Sequence, residues 1–270
     1  MSKNEPLNNG KNLKSESDEK ESQQVAAIKL EQDFEAYKRE DYQVWRALYT
    51  RQTENLQNKA ITEYVDALEE LRPVMNADAP PRFTDLNKVL KAKTGWEIEV
   101  VPGLIPALNF LRLLSQRKFC SSVWLRTVKQ MDYLEEPDMF HDIYGHIPLL
   151  MDEDYARFVQ QIGELGVRFQ NQPEIIDKIE RFYWYTVEFG VQMQDSKPLI
   201  YGAGITSSFQ ESCQVVEEEL VFNTLNINDL IAKEFHTDKM QESYFTIPSL
   251  QFLYDQMPVL QKRLIEESKK

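Results

Sequence analysis

The chain has 270 residues, 42% of them hydrophobic, and a formal net charge of -13. That is enough apolar material for the core of one sizeable domain, while the acidic balance excludes nucleic acid and anionic membranes as partners, because phosphates are bound by clustered Lys and Arg. No uncharged run exceeds 13 residues, the longest being Pro198 to Gln210, so neither a membrane-spanning helix nor a signal core is expected, and the protein is placed in the cytoplasm. Residues 1–24 are Lys, Glu, Ser and Asn with almost no apolar content, and such a segment reads as a disordered tail, leaving 25–270 as a single domain. From residue 25 to residue 71 apolar positions recur at helical spacing (Tyr42, Trp45, Leu48; Ile61, Tyr64, Leu68, Leu71), which predicts two or three amphipathic helices ended by Pro73 and the Pro80-Pro81 pair. Residues 84–93 predict a short helix stopped by Gly95, and "WEIEVVPG" after it a short strand. Helical patterning returns over 156–165, 174–193, 211–221 and 249–267. Strand signal is scarce elsewhere, so the expected fold is mostly α with a few short β-strands. Cys120 and Cys213 form no disulfide framework and read as small buried residues of a reducing compartment.

Chemistry concentrates in "PDMFHDIYGHIPLLMDEDY", residues 137–155, where two of the three histidines stand five positions apart. On a regular helix five residues turn the side chain by roughly 140°, so His141 and His146 would face different ways. Gly145 permits an irregular backbone, and a helix start or a turn widened to i→i+5 would bring both imidazoles to one side. The spacing differs from HExxH, and Asp142 after the first histidine reads as a neighbour of the site rather than a base. Alone, the pair fits either a metal site or two structural histidines.

A third group sharpens the choice. "RFYWYTVEFGVQMQ", residues 181–194, is apolar on every helical face, and Glu188 is its only charge from Phe182 through Met193. A helix hydrophobic all round is buried, and a lone buried carboxylate needs a partner or a metal. An ion pair with a distant arginine such as Arg126, or a protonated Glu188, remains open. Two His and one carboxylate with open positions is the arrangement of non-haem Fe(II) oxygenases, and it also suits a catalytic zinc of a hydrolase or a structural metal in a helical binding protein. The lone His236 reads as structural or surface, and the "GAG" of 202–204 as a turn shaping a pocket.

With "VPGLIP" (101–106), "EEPDMFHDIYGHIPLL" (135–150), "YWYTVEFG" (183–190) and "YGAGITSSFQE" (201–211) in order, the chain from about Tyr42 to Tyr254 resembles the tetrahydropterin-dependent aromatic amino acid hydroxylases, most closely the short bacterial members acting on phenylalanine. The resemblance implies a helical basket around a non-haem iron, with Fe(II) held by His141, His146 and Glu188. It implies that a tetrahydropterin stacks on Phe110 and bonds the backbone of Gly103, Leu104 and Ile105, with Asp142 and Tyr183 beside it. It further implies that Arg126 clamps the substrate carboxylate, that Ser207 lies on that side of the substrate, and that Pro137 and Trp184 line the ring pocket. The activity implied is mono-oxygenation of phenylalanine to tyrosine with O2. Tryptophan or tyrosine is the alternative substrate, and Trp184 favours the phenylalanine and tyrosine branches. The chain departs from bacterial relatives at Ala107 and Leu108, where acidic residues are common. A monomer is expected, since the family's tetramerising helix has no counterpart before the chain ends.

Overall fold

In the computed structural model of the chain, which describes residues 30–132, 134, 136–218, 220–237 and 239–269, the first apolar periodicity becomes helix α1 (Arg39–Leu56) and helix α2 (Thr62–Leu71). The expected disordered tail, residues 1–24, lies outside the described residues. Helix α1 buries Val44, Trp45, Leu48, Tyr49, Gln52 and Leu56, a stripe at three- and four-residue intervals. The Asp41 carboxylate accepts the Lys38 N–H at 2.7 Å and closes its first turn. The Trp45 indole donates to the Asn76 carbonyl at 2.8 Å, so burial of this large ring leaves no polar atom unpaired. Helix α3 (Phe83–Lys93) stops where Gly95 takes φ 76°, the left-handed conformation that glycine adopts without a Cβ clash.

Strand β1 (Glu97–Val100) pairs in parallel with β2 (Lys118–Ser121), and helix α4 (Ala107–Ser115) makes the crossover. The chain then passes Arg126 and enters the histidine motif. Helix α5 (Glu153–Arg168) starts at Asp152, whose side chain accepts the N–H groups of Asp154 and Tyr155. Helix α6 (Pro173–Tyr183) carries proline at its first position, where no intrahelical N–H is needed.

Here the structure corrects the sequence reading. The helix expected over 174–193 ends at Tyr183, continues as one π-helical turn (Trp184–Glu188), and gives way to strand β3 (Val191–Gln194). Strand β3 turns back on β4 (Lys197–Ile200) through Asp195 and Ser196, both at positive φ (49° and 63°), the backbone of a tight hairpin turn. After a helical turn α7 (Ala203–Thr206) and helix α8 (Phe209–Glu217), strand β5 (Val221–Thr224) begins where the sequence had favoured helix. Helix α9 (Ile227–Ala232) leads toward β6 (Ser243–Ile247), completing a four-stranded sheet in the order β4-β3-β6-β5. Helix α10 (Leu250–Glu267) closes the chain, its first turn capped by Ser249. The expected mostly helical architecture with short strands therefore holds, with more sheet than expected. Among the described residues no helix is long and apolar enough to cross a membrane.

Candidate metal centre

The two histidines lie on a single π-helical stretch, His141–His146. The i→i+5 widening absorbs the extra residue that would send them to different faces of an α-helix. The close fit of the next layer requires Gly145, since a Cβ there would lie 2.8 Å from the Ala203 carbonyl oxygen of α7. Behind the motif, Phe140 stacks on Tyr144 at 4.8 Å, and Trp45 and Tyr49 of α1 meet these rings edge-on at 5.5 and 5.4 Å. The Tyr64 hydroxyl donates to the Tyr144 carbonyl at 2.6 Å. Helices α1 and α2 thus fix the widened turn from outside.

Glu188 arrives at the end of the second π turn, closed by the Phe189 N–H on the Trp184 carbonyl at 2.9 Å. Gly202 lets the following segment pass against it, because a Cβ there would stand 2.4 Å from the Glu188 carbonyl oxygen. This is the purpose of the glycine-rich stretch: it packs against the backbone of both histidine and glutamate turns.

The ligand-type atoms of His141, His146 and Glu188 all fall within 4.8 Å of one another. The edges are 3.3 Å between the two Nε2 atoms, 3.0 Å from His146 Nε2 to Glu188 Oε1, and 3.7 Å from His141 Nε2 to Glu188 Oε2. Adjacent ligands on an octahedral ion with bonds of about 2.1 Å stand about 3 Å apart, so the triangle is near the size of one face. Burial pulls the His141 imidazole down to about 4 against the opposing field of Glu188. Burial also resists ionisation of Glu188, but His146, then His141 and the Tyr183 hydroxyl, outweigh it and hold the carboxyl at about 2. A neutral His141 and an ionised Glu188 are the protonation states a divalent cation requires. The ion pair of Glu188 with Arg126 left open by the sequence is replaced by this histidine partnership.

His141 Nδ1 lies 2.9 Å from Ser207 Oγ, and that hydroxyl donates to the Ala203 carbonyl at 2.8 Å. Its single hydrogen is therefore committed, so it accepts from Nδ1–H and leaves the Nε2 lone pair facing the centre. Phe119 of β2 lies against the His146 ring at 4.4 Å. Asp142 turns to the end of β2, where its Oδ2 accepts the Ser122 N–H at 2.9 Å, and burial pushes its carboxyl up to about 7.

Arg126 is held by an acid that sequence reasoning had not singled out. Its Nε and Nη2 donate to the two oxygens of Asp138 at 2.9 and 2.8 Å, and its backbone N–H adds a third bond at 2.9 Å. The other Asp138 oxygen accepts the His141 N–H at 3.1 Å. An acid three residues before the first helical donor, directly after a proline, is an N-cap pattern, and that was the readable signal. Phe110 meets the Tyr183 ring edge-on at 5.1 Å. Trp184 stacks on Phe235 at 4.5 Å and its indole donates to Gln241, a second residue the sequence had not marked. Pro137 is half-buried beside Asp138, and Gly103 and Ile105 are half-buried in the loop after β1. Leu104 between them is 70% exposed, the most open of the expected pterin contacts.

Fold and centre together define a helical protein that encloses a two-histidine, one-carboxylate site of the kind used by mononuclear non-haem metal oxygenases. The pattern of biopterin-dependent aromatic amino acid hydroxylases matches residues 19–267. The chain belongs to that family. It is 35% identical over 235 residues to a phenylalanine-4-hydroxylase of Pseudomonas aeruginosa, covering 87% of this chain and 88% of the relative. It superimposes on the Chromobacterium violaceum phenylalanine hydroxylase with bound iron(III) and 7,8-dihydrobiopterin at a TM-score of 0.81, with 37% identity over 88% of this chain and 86% of that one. The same enzyme with iron and phenylalanine bound gives a TM-score of 0.79 and 33% identity, over 89% of this chain and 91% of that one. Within the family the chain is thus similar to the bacterial phenylalanine hydroxylases.

Proposed function

We propose that this chain, as a single catalytic domain over residues 25–270, uses iron(II) and a tetrahydropterin to hydroxylate L-phenylalanine to L-tyrosine with O2. The observation that carries the reading is the convergence of His141, His146 and Glu188 within 4.8 Å on two π-helical turns. The relatives with bound iron, dihydrobiopterin and phenylalanine support it. When bound, the metal and the pterin supply the chemistry of O2 activation.

The chain's own residues bind and orient. His141, His146 and Glu188 would hold the metal, and Ser207 keeps His141 in the tautomer whose lone pair faces it. Phe110 offers an aromatic face to a flat heterocycle, bordered by the backbone of Gly103, Leu104 and Ile105 and by Asp142 and Tyr183. The buried Ser122 hydroxyl has no hydrogen-bond partner among the described residues, which suits a polar ring system beside Asp142. Arg126 spends Nε and Nη2 on Asp138, and its Nη1 makes no hydrogen bond among the described residues. That free edge fits a substrate carboxylate. Pro137 and Trp184, both half-buried, border the ring pocket.

The deciding experiment reconstitutes the metal-free protein with Fe(II) and a tetrahydropterin in air and assays phenylalanine, tyrosine and tryptophan in parallel. Tyrosine formed from phenylalanine only when both are present is the expected outcome; product from tryptophan alone would move the substrate. Glu188→Ala or His141→Ala should abolish iron binding and turnover, and retention of both would overturn the ligand assignment. We assign the enzyme to the cytoplasm as a monomer, which fits its acidic charge and two free cysteines and is checked by sedimentation.

A further inference from the structure

Trp184 is not placed by stacking alone. Its ring lies on Phe235 at 4.5 Å and 19° and tilts against Phe189 at 4.7 Å and 41°, contacts that let an indole slide in its own plane. Its N–H, however, reaches Gln241 Oε1 at 3.3 Å. Gln241 is 8% exposed, and its Nε2 faces the carbonyls of His236 and Lys239, both at 3.4 Å. An indole only donates and carbonyls only accept, so these partners fix which end of the amide is which. The Gln241 backbone N–H donates to Glu211 Oε1 at 3.2 Å, and the same oxygen accepts the Tyr244 hydroxyl at 2.6 Å. Glu211 is 5% exposed and pairs with no Lys, Arg or His among the described residues. A buried carboxyl served by neutral donors alone is unfavourable compared with an apolar residue of similar shape. Its use here calls for a reason beyond packing, and the hydrogen bonds it makes lead to Trp184.

We propose that Gln241, seated by Glu211, is a positioning and specificity-determining residue: its amide sets the plane of Trp184 and holds the carbonyl of His236, the residue next to Phe235, and so fixes the width of the slot that receives the substrate's aromatic ring. One amide thereby holds both the wall and its ring partner. The inference rests on the reading of Trp184 as a pocket wall and deepens it. An apolar slot discriminates between rings by shape alone, so the rigidity of its walls sets how well it can do so.

The test uses the full chain labelled with 5-fluorotryptophan, whose four sites are Trp45, Trp96, Trp124 and Trp184. The Trp184 fluorine resonance is assigned by its loss in Trp184→Phe. Gln241→Leu should shift that resonance and leave the other three in place. In the iron-loaded enzyme it should raise KM for phenylalanine about tenfold with kcat within about twofold, and lower the preference for phenylalanine over tryptophan. Added to Trp184→Phe, Gln241→Leu should change KM by less than about twofold, because the shared contact is already gone. Glu211→Gln retains one oxygen for both donors and should stay near the parent, whereas Glu211→Leu should follow Gln241→Leu. Movement of all four resonances, or an unmoved Trp184 line with unchanged KM, overturns the proposal. If Trp184→Phe itself leaves KM and discrimination among the three amino acids unchanged, the pocket-wall reading fails first and takes this inference with it.

Discussion

Asp138→Asn tests how Arg126, the proposed clamp of the substrate carboxylate, is held. Asp138 is fully buried and accepts four bonds: three from Arg126 and one from the His141 backbone. An asparagine has one acceptor oxygen, so in either orientation its amide N–H groups face donors where a carboxylate oxygen had been. Arg126, 8% exposed, then keeps its charge without its counter-charge. Breaking one side of a buried, hydrogen-bonded ion pair costs about 3–5 kcal/mol. At about 2–4 °C per kcal/mol for a domain of this size, the melting temperature should fall by about 6–20 °C. The measurement is thermal unfolding of the metal-free protein, which separates this effect from iron loading. A second measurement, kcat/KM for phenylalanine in the iron-loaded enzyme, should fall by up to about 100-fold as the guanidinium loses its orientation. Arg126→Met on the same background should recover part of the lost stability and none of the activity, since it removes the stranded charge together with the clamp. A melting temperature within about 2 °C of the parent would refute the argument, because no buried pair of this geometry can be that weak.

Ser207→Ala should weaken Fe(II) binding about 10–100-fold, measured by calorimetric titration of the metal-free protein, because the His141 Nδ1–H loses the acceptor that fixes its tautomer; affinity within twofold of the parent would show that the hydroxyl is incidental. The Glu211 carboxyl is raised by burial, with the Tyr244 and Gln241 bonds opposing. A raised folded value means the folded state holds the proton more tightly, so this group's contribution is full below the ordinary carboxylate range and is lost as pH rises through the raised value. Glu211→Gln removes that titration. Its stability relative to the parent, from urea unfolding between pH 4 and pH 8, should therefore climb with pH, and a constant difference would show that Glu211 does not titrate as argued.

Legibility in the sequence followed the reach of each physical rule. The helices of 39–56, 62–71 and 250–267 were readable because one face of each is buried, which is what periodicity reports. The loss of helix after Tyr183 was not. An all-apolar run carries no period, and besides its hairpin partner β4, β3 pairs Val191 and Gln192 with β6, more than fifty residues away. The triad was half legible. The irregular turn followed from the five-residue spacing, and the need for a partner at Glu188 followed from its isolation among apolar residues. That these partners were each other, and that the ligand set is the family's, came from the four motifs together. The pairings of Asp138 with Arg126 and of Gln241 with Trp184 escaped because side-chain bonds of that kind have no periodic or compositional trace; only the N-cap position of Asp138 was legible.

Both ligand-bearing segments are π-helical, and both rest on the same short stretch, 202–207. Ala203 touches the Gly145 turn, Gly202 abuts the Glu188 carbonyl, and Ser207 bonds His141. A π turn has poorer intrinsic geometry than the α-helix it replaces and persists where its surroundings determine it. Here one connection constrains two such turns and one imidazole, so the spacing of the three donors is fixed by packing that does not depend on a bound ion. The consequence concerns specificity as well as affinity. Gln241 bonds Trp184 and none of the three donors, whereas Asp138 Oδ1 accepts both Arg126 Nη2 and the His141 N–H, so Arg126 and His141 share one support. Substitutions at Gln241 should therefore leave Fe(II) affinity near the parent, while those at Asp138 should disturb Arg126 and the His141 turn together.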